Sequence, residues 1–255
     1  MWRRIAPKLH VAHDSGEGPA VVLLHGIASS SVTFKNVIPL LDHHRVIALD
    51  LLGFGESPAP AGAEYSMAEH VAAIKRTLRS LRIRGPYTLV GHSMGALFAA
   101  RIAARNPHRI RRLVLVSPPI YILPAELSRL HERELMGLYL RAYRFIRENQ
   151  EFTLRNAHIL QRLLPVRGML DITERTWTPF VKSLANSVEQ QTALSDLADV
   201  RVPAAIVVGS NDEFTSSGAM KIAGRLEGVS LHRVPGGYHM IGRRLARAVV
   251  QAIDA

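Results

Sequence analysis

Tyr87-Thr88-Leu89-Val90-Gly91-His92-Ser93-Met94-Gly95-Ala96-Leu97-Phe98 is the stretch that decides the fold. Tyr87–Val90 is an apolar run that reads as a buried strand, and Met94–Ala104 reads as a helix. Ser93 stands in the turn between them. A serine held in a tight strand-to-helix turn needs small neighbours, because the backbone there is strained and closely approached. Gly91 and Gly95 supply that room. Such a turn lifts the hydroxyl out of the sheet. The helix that follows offers free N–H groups and the positive end of its dipole to a developing negative charge.

The same rhythm extends in both directions. Upstream, Leu9–His13 and Val21–Leu24 read as short strands flanking Asp14-Ser15-Gly16-Glu17-Gly18-Pro19, a turn-rich segment suited to a hairpin. Phe34, Val37, Ile38 and Leu41 have helical spacing, with Pro39 as a kink. Arg45–Leu51 reads as a buried strand ending in a Gly-rich turn. Ser66 and Glu69 form a capping-box pair, and Met67, Val71, Ile74, Leu78 and Leu81 continue the helix they open. Downstream, Arg112–Val116, Ala204–Val208 and Ser230–Val234 read as strands, and Gly218–Leu226 as a helix. Ile241, Leu245, Val249 and Ile253 mark the last helix. Between about 122 and 185 the leucines fall at helical spacings with no strand among them. Strands alternating with helices predict an α/β fold with a doubly wound, mostly parallel sheet. The expected division is a core of residues 1–121 and 186–255 with an inserted all-helical cap over 122–185.

Composition narrows the function classes. The chain has 255 residues, 47% of them hydrophobic, a globular balance that excludes disordered and fibrous classes. No apolar run is long enough to cross a membrane. The start, Met1-Trp2-Arg3-Arg4, meets charged residues before any apolar core, so a cytoplasmic protein is expected. There is no cysteine, and hence no disulfide, thiol nucleophile or thiolate metal site. Lys plus Arg number 32 against 21 Asp plus Glu, a formal charge of +11, and only five of those cations are lysines. The arginines are scattered and accompany no nucleic-acid-binding motif, so they read as a solvated basic surface.

A serine hydroxyl attacks only when a histidine takes its proton, and the histidine needs a carboxylate to fix its tautomer. His239 is the best-placed base: it follows the last strand in Val234-Pro235-Gly236-Gly237-Tyr238-His239. Asp212 is the candidate acid in Gly209-Ser210-Asn211-Asp212-Glu213, with Glu213 as its rival. Ser117-Pro118-Pro119 follows the strand ending at Val116 and offers no carboxylate. The oxyanion donors are assigned to the backbone N–H groups of Ile27, after Leu23-Leu24-His25-Gly26, and of Met94. His25 is read as a brace for the Ile27 loop and His92 as a side chain packed beside the turn.

Competing motifs fail. Gly53-Phe54-Gly55 has Pro58 where a dinucleotide fingerprint requires a third glycine. His131-Glu132-Arg133-Glu134-Leu135 has leucine where a zinc-protease helix needs its second histidine. No cofactor and no metal are expected.

Taken together, these residues resemble the α/β-hydrolase fold superfamily. The resemblance rests on His25-Gly26, on Asp50-Leu51-Leu52-Gly53-Phe54-Gly55-Glu56-Ser57, on the turn at Ser93, and on the order Ser93, Asp212, His239. It places the helical block where that family inserts its cap. A serine at the turn sets the chain apart from the similar haloalkane dehalogenases and epoxide hydrolases, which carry aspartate there. The resemblance implies a cofactor-free serine hydrolase acting on a small-molecule ester, most simply a carboxylesterase working through an acyl-enzyme. Two alternatives stay open: a carbon–carbon bond hydrolase of the meta-cleavage-product type, and a slow-turnover ligand sensor on the same fold. The oligomeric state is not legible.

Overall fold

Alternating strands and helices resolve into one seven-stranded sheet in a computed structural model, which describes residues 6–120, 145, 148–155 and 172–255. The strands are β1 (Val11–Ser15), β2 (Ala20–Leu24), β3 (Arg45–Leu49), β4 (Tyr87–His92), β5 (Ile110–Val116), β6 (Ala204–Gly209) and β7 (Val229–Val234). Their spatial order is β1-β3-β2-β4-β5-β6-β7. Every neighbouring pair is parallel except β1 with β3. The described helices are α1 (Met67–Ser80), α2 (Met94–Arg105), α3 (Gln150–Arg155), α4 (Glu174–Ser183), α5 (Ala193–Ala198), α6 (Ser217–Ala223) and α7 (Arg243–Asp254).

Strand residues alternate between two apolar layers, which is why both faces must be covered. Val21, Leu23, Val46, Ala48, Val90, Val114, Val116 and Val207 meet Phe34 and Val37 together with Leu245, Val249 and Ile253 of α7. Val22, Leu24, Ile47, Leu49, Leu89, Leu113, Leu115 and Ile206 meet Ile74 and Leu78 of α1, Leu97 and Phe98 of α2, and Trp177 and Phe180 of α4. Burying one such aliphatic side chain contributes about 1.5–3 kcal/mol, so the two layers hold the helices onto both faces of the sheet. The mostly parallel, doubly covered sheet is the fold class expected from sequence.

The capping box at α1 forms: the Ser66 hydroxyl accepts from the Glu69 N–H, and the Glu69 carboxylate accepts from the Ser66 N–H. Two local expectations are corrected. β1 and β2 do not form a hairpin, because β3 lies between them, antiparallel to β1 and parallel to β2. The connecting turn packs against the chain entering β3 instead. A Cβ at Gly16 would stand 2.2 Å from the His44 carbonyl oxygen and one at Gly18 2.4 Å from that of His43, both at positive φ. Across the β1–β3 pair, Arg45 grips Asp14 through two bonds of 2.8 Å. Residues 31–41 make two 3₁₀ turns, Ser31–Phe34 and Ile38–Leu40, rather than a kinked α-helix, with Pro39 inside the second. Proline lacks the N–H that a continuous helix would use.

Most of the 122–185 segment lies outside the described residues. Within its described part, α3 and α4 are helical. α4 runs directly into a π-helical turn, Leu184–Val188, and its Trp177 and Phe180 join the main core. Arg175 of α4 donates to the carbonyls of Gly55 at 2.6 Å and Ser57 at 3.0 Å, tying this helix to the turn after β3.

Candidate active site

The C-terminal ends of the parallel strands carry the strained backbone. Ala28, Ser93 and Ser117 follow β2, β4 and β5 and have φ of 49°, 50° and 49°. A non-glycine residue held there costs on the order of 1–3 kcal/mol, which the surrounding packing must offset. At Ser93 (φ 50°, ψ −123°) the reason for the flanking glycines is measurable. A Cβ at Gly91 would lie 2.4 Å from the Gly95 carbonyl oxygen, and one at Gly95 would lie 2.3 Å from that of Leu24. Neither backbone can give way. The Ser93 N–H donates to the Val116 carbonyl at 2.9 Å, fixing the turn against β5.

The loops after β6 and β7 converge on this turn and are bonded to each other. Ser210 N–H donates to Val234 O at 2.9 Å, and Asn211 N–H to Gly237 O at 2.8 Å. A Cβ at Gly209 would sit 2.3 Å from the Gly237 carbonyl, so the two loops touch backbone to backbone. This places Asp212 and His239 side by side. His239 Nδ1–H donates to Asp212 Oδ1 at 3.0 Å, and His239 Nε2 accepts from the Ser93 hydroxyl at 3.1 Å. The Asp212 carboxylate is fully buried. Burial pushes its pKa up, but the neighbouring His239 and hydrogen bonds, among them the Phe214 N–H, outweigh that and hold it below the usual carboxylate value. Glu213 does not compete, since both ring nitrogens of His239 are already engaged by Asp212 and Ser93.

The proposed oxyanion donors belong to residues adjoining Ser93 or its neighbour Gly26. Met94 opens α2, and the loop bearing Ile27 lies against the serine. A Cβ at Gly26 would be 3.0 Å from Ser93 Cβ and 3.5 Å from its hydroxyl. Among the described residues, neither the Ile27 nor the Met94 N–H appears in the backbone bonds that close the turns and loops. His25 braces that loop. Its Nδ1–H donates to Gly26 O at 2.7 Å and its Nε2 accepts the Leu51 N–H at 2.8 Å. Full burial drops its pKa to about 4, so the ring is neutral and bridges two loops.

Two supports of the site, His92 beside the serine turn and Asp50 in the turn after β3, were legible in the sequence only in part. His92 is more than a packed neighbour: its Nε2–H donates to the main-chain carbonyl of His239 at 2.9 Å, holding the His239 loop to the serine turn. Burial and the nearby His239 bring its pKa down to about 3. Asp50 organises the turn after β3. Its carboxylate accepts from Ser31 N–H at 2.9 Å, Glu56 N–H at 3.0 Å and His10 Nδ1 at 3.0 Å. Gly55 is required there, because a Cβ would fall 2.3 Å from that carboxylate. The strand-end position of both residues was a visible signal, but their partners were not.

Among the described residues, no helix is long and apolar enough to cross a membrane, and no group of three or more acidic or histidine side chains is placed to hold a metal ion.

A sheet whose strand ends gather a strained serine, a histidine and a buried carboxylate is a hydrolase scaffold. The chain belongs to the α/β-hydrolase fold family, whose model matches residues 19–242. A probable lysophospholipase of Arabidopsis thaliana, BODYGUARD 3, is 38% identical over 109 residues, 41% of this chain and 22% of that protein. The 2-hydroxy-6-oxo-2,4-heptadienoate hydrolase of Pseudomonas putida is 41% identical over 108 residues, 41% of this chain and 39% of that protein. These matches therefore span well under half of either relative. The crystal structure of the enol-lactonase of Burkholderia xenovorans shares the fold across 97% of this chain and 96% of that one, with a TM-score of 0.71 at 19% identity.

Proposed function

We propose that the chain is a serine hydrolase of carboxylic esters, with Ser93 as nucleophile, His239 as base and then acid, and Asp212 as the acid that orients the imidazole. The observation that carries this reading is the continuous relay from Ser93 Oγ to His239 at 3.1 Å and from His239 to the buried Asp212 at 3.0 Å. Attack of Ser93 Oγ on the ester carbonyl transfers its proton to His239 Nε2. The imidazolium so formed is stabilised by a carboxylate whose lowered pKa keeps it charged. The carbonyl oxygen, now an oxyanion, is received by the Ile27 and Met94 N–H groups. Donors of this kind contribute about 3 kcal/mol each. The tetrahedral intermediate collapses as His239 returns the proton to the leaving alcohol. A water, deprotonated by the same histidine, then attacks the acyl-enzyme and releases the acid.

The division into a core of 1–121 and 186–255 and a helical cap over 122–185 is part of this proposal. A cap roofing the strand ends excludes bulk water and favours small or medium acyl groups. A cytoplasmic setting and a small-molecule substrate belong to the same reading. A second reading, carbon–carbon bond cleavage in a dienoic acid by the same three residues, draws on the 41% identity to the heptadienoate hydrolase. A panel of esters, lactones and dienoates, run on wild type and on Ser93→Ala, separates the two. Turnover of esters that is lost in Ser93→Ala supports the first. Turnover confined to dienoates supports the second, and slow stoichiometric turnover of everything marks a sensor.

A further inference from the structure

The Asp212 carboxylate is served unevenly. Oδ1 accepts both His239 Nδ1–H at 3.0 Å and the Phe214 N–H at 3.0 Å. Oδ2 is buried and has no hydrogen-bond partner among the described residues. Three other buried polar atoms of this region are likewise unsatisfied among the described residues, Glu213 Oε2, His92 Nδ1 and the hydroxyl of Ser117, and of these only the hydroxyl, on a residue with no exposure at all, is a donor, since His92 already donates through Nε2. Native proteins rarely leave such a pair apart, and a serine hydroxyl is a donor free to rotate.

We propose that Ser117 is a positioning residue for the acid: its hydroxyl donates to Asp212 Oδ2 and thereby fixes which carboxylate oxygen faces His239. The inference rests on the triad reading given above. The backbone supports it independently. Ser117 N–H donates to Val207 O at 2.9 Å, while the preceding carbonyl, Val116 O, accepts the Ser93 N–H at 2.9 Å. One peptide step on β5 thus ties the nucleophile's turn to the strand that carries the acid's loop. Ser117 also holds φ +49°, a conformation that glycine would adopt without strain. The hydroxyl is what serine offers there in exchange. It already lies near enough to draw the Asp212 pKa down, although it falls outside hydrogen-bond geometry in this rotamer.

Removing that donor takes positive potential away from the Asp212–His239 pair, so the pair holds its proton to higher pH. Among the described residues, the other titratable groups near the pair are His92, whose ring centre is 5.1 Å from that of His239, His25 beyond it, and Glu213 next to Asp212 in the chain. His92 and His25 are held neutral by burial and do not titrate in the working range.

The test is a double-mutant cycle read by turnover of p-nitrophenyl butyrate and by the rate at which a fluorophosphonate labels Ser93. Ser117→Ala and Ser117→Gly are each compared with wild type, then Ser117→Ala is placed in Asp212→Asn. Glycine relieves the backbone strain, so it tests the hydroxyl where alanine fails to fold. Expected are a roughly tenfold loss of kcat in both variants, a KM within about twofold, and an acid limb of kcat/KM displaced upward by several tenths of a pH unit. In the Asp212→Asn background, Ser117→Ala should change the labelling rate by less than about twofold, because asparagine leaves no carboxylate charge for the hydroxyl to orient toward His239. Wild-type kcat with an unmoved acid limb in Ser117→Gly overturns the proposal. So does a tenfold loss that persists in Asp212→Asn, since that marks a purely structural role. Full activity in Asp212→Asn alone overturns the triad reading instead.

Discussion

Three fully enclosed histidines among the described residues lead to the prediction that the fold loses stability in mild acid. His25, His70 and His92 are 0%, 0% and 2% exposed, and burial lowers their pKa values to about 4, 3 and 3. In the unfolded chain each returns to about 6.5. A depressed histidine contributes its full share of stability above that unfolded value and loses it as pH falls from about 6.5 toward the folded pKa. At pH 5 the difference is about 1.5 pH units for each ring, or about 2 kcal/mol, so the three together remove about 5–6 kcal/mol relative to pH 7. Total stabilities of about 5–15 kcal/mol leave little in reserve. Asp14, Asp50 and Asp212, whose pKa values are lowered, bring their own losses only below about pH 4, outside this window. Urea unfolding at half-unit steps from pH 7 to 5 should show a slope approaching three protons taken up on unfolding. His70→Gln retains a donor for the Ser183 hydroxyl, which His70 contacts at 3.1 Å, and cannot titrate. It should reduce the slope by about one third. A stability that stays level from pH 7 to 5, or a His70→Gln variant with the wild-type slope, would refute the reasoning.

Two further substitutions address the site. Asp212→Asn should leave the melting temperature nearly unchanged and lower kcat by about 10⁴, the cost of a wrong tautomer in a triad, whereas Glu213→Gln should stay within about threefold. An exchange of these outcomes would assign the acid to Glu213. Gly26→Ala is tolerated by its backbone, but its Cβ would stand 3.0 Å from Ser93 Cβ and 3.2 Å from His92 Nδ1. Ser93 would have to move by a few tenths of an ångström, and a loss of about 10- to 100-fold in kcat with little change in KM is expected; wild-type kcat would show that the turn can yield.

Local chemistry was legible in the sequence where local forces decide it. The glycines around Ser93, the capping box at Ser66 and the apolar strands announce themselves through spacing alone. Partner choice was not. Asp14 through Pro19 carries every mark of a turn, yet nothing within it says that β3, arriving some thirty residues later, will lie between its two flanking strands. Pro39 marked an interruption correctly, but 3₁₀ turns and a kinked helix share the same spacing of Phe34, Val37 and Leu41. His92 was visible as a turn residue, while its bond to the His239 carbonyl, 147 residues away in the chain, exists only in the folded sheet. Ser117 carried the least signal. It registered as the lack of a carboxylate after β5, and its hydroxyl gains meaning only beside Asp212.

The central claim is that Ser93 is the nucleophile, and covalent labelling tests it most directly. Wild type treated with excess fluorophosphonate should gain the mass of a single label by intact mass spectrometry, mapped to the peptide containing Ser93, as ester turnover falls to zero. Ser93→Ala should take up no label and show no turnover. A label on another residue, or undiminished turnover in Ser93→Ala, would contradict the account.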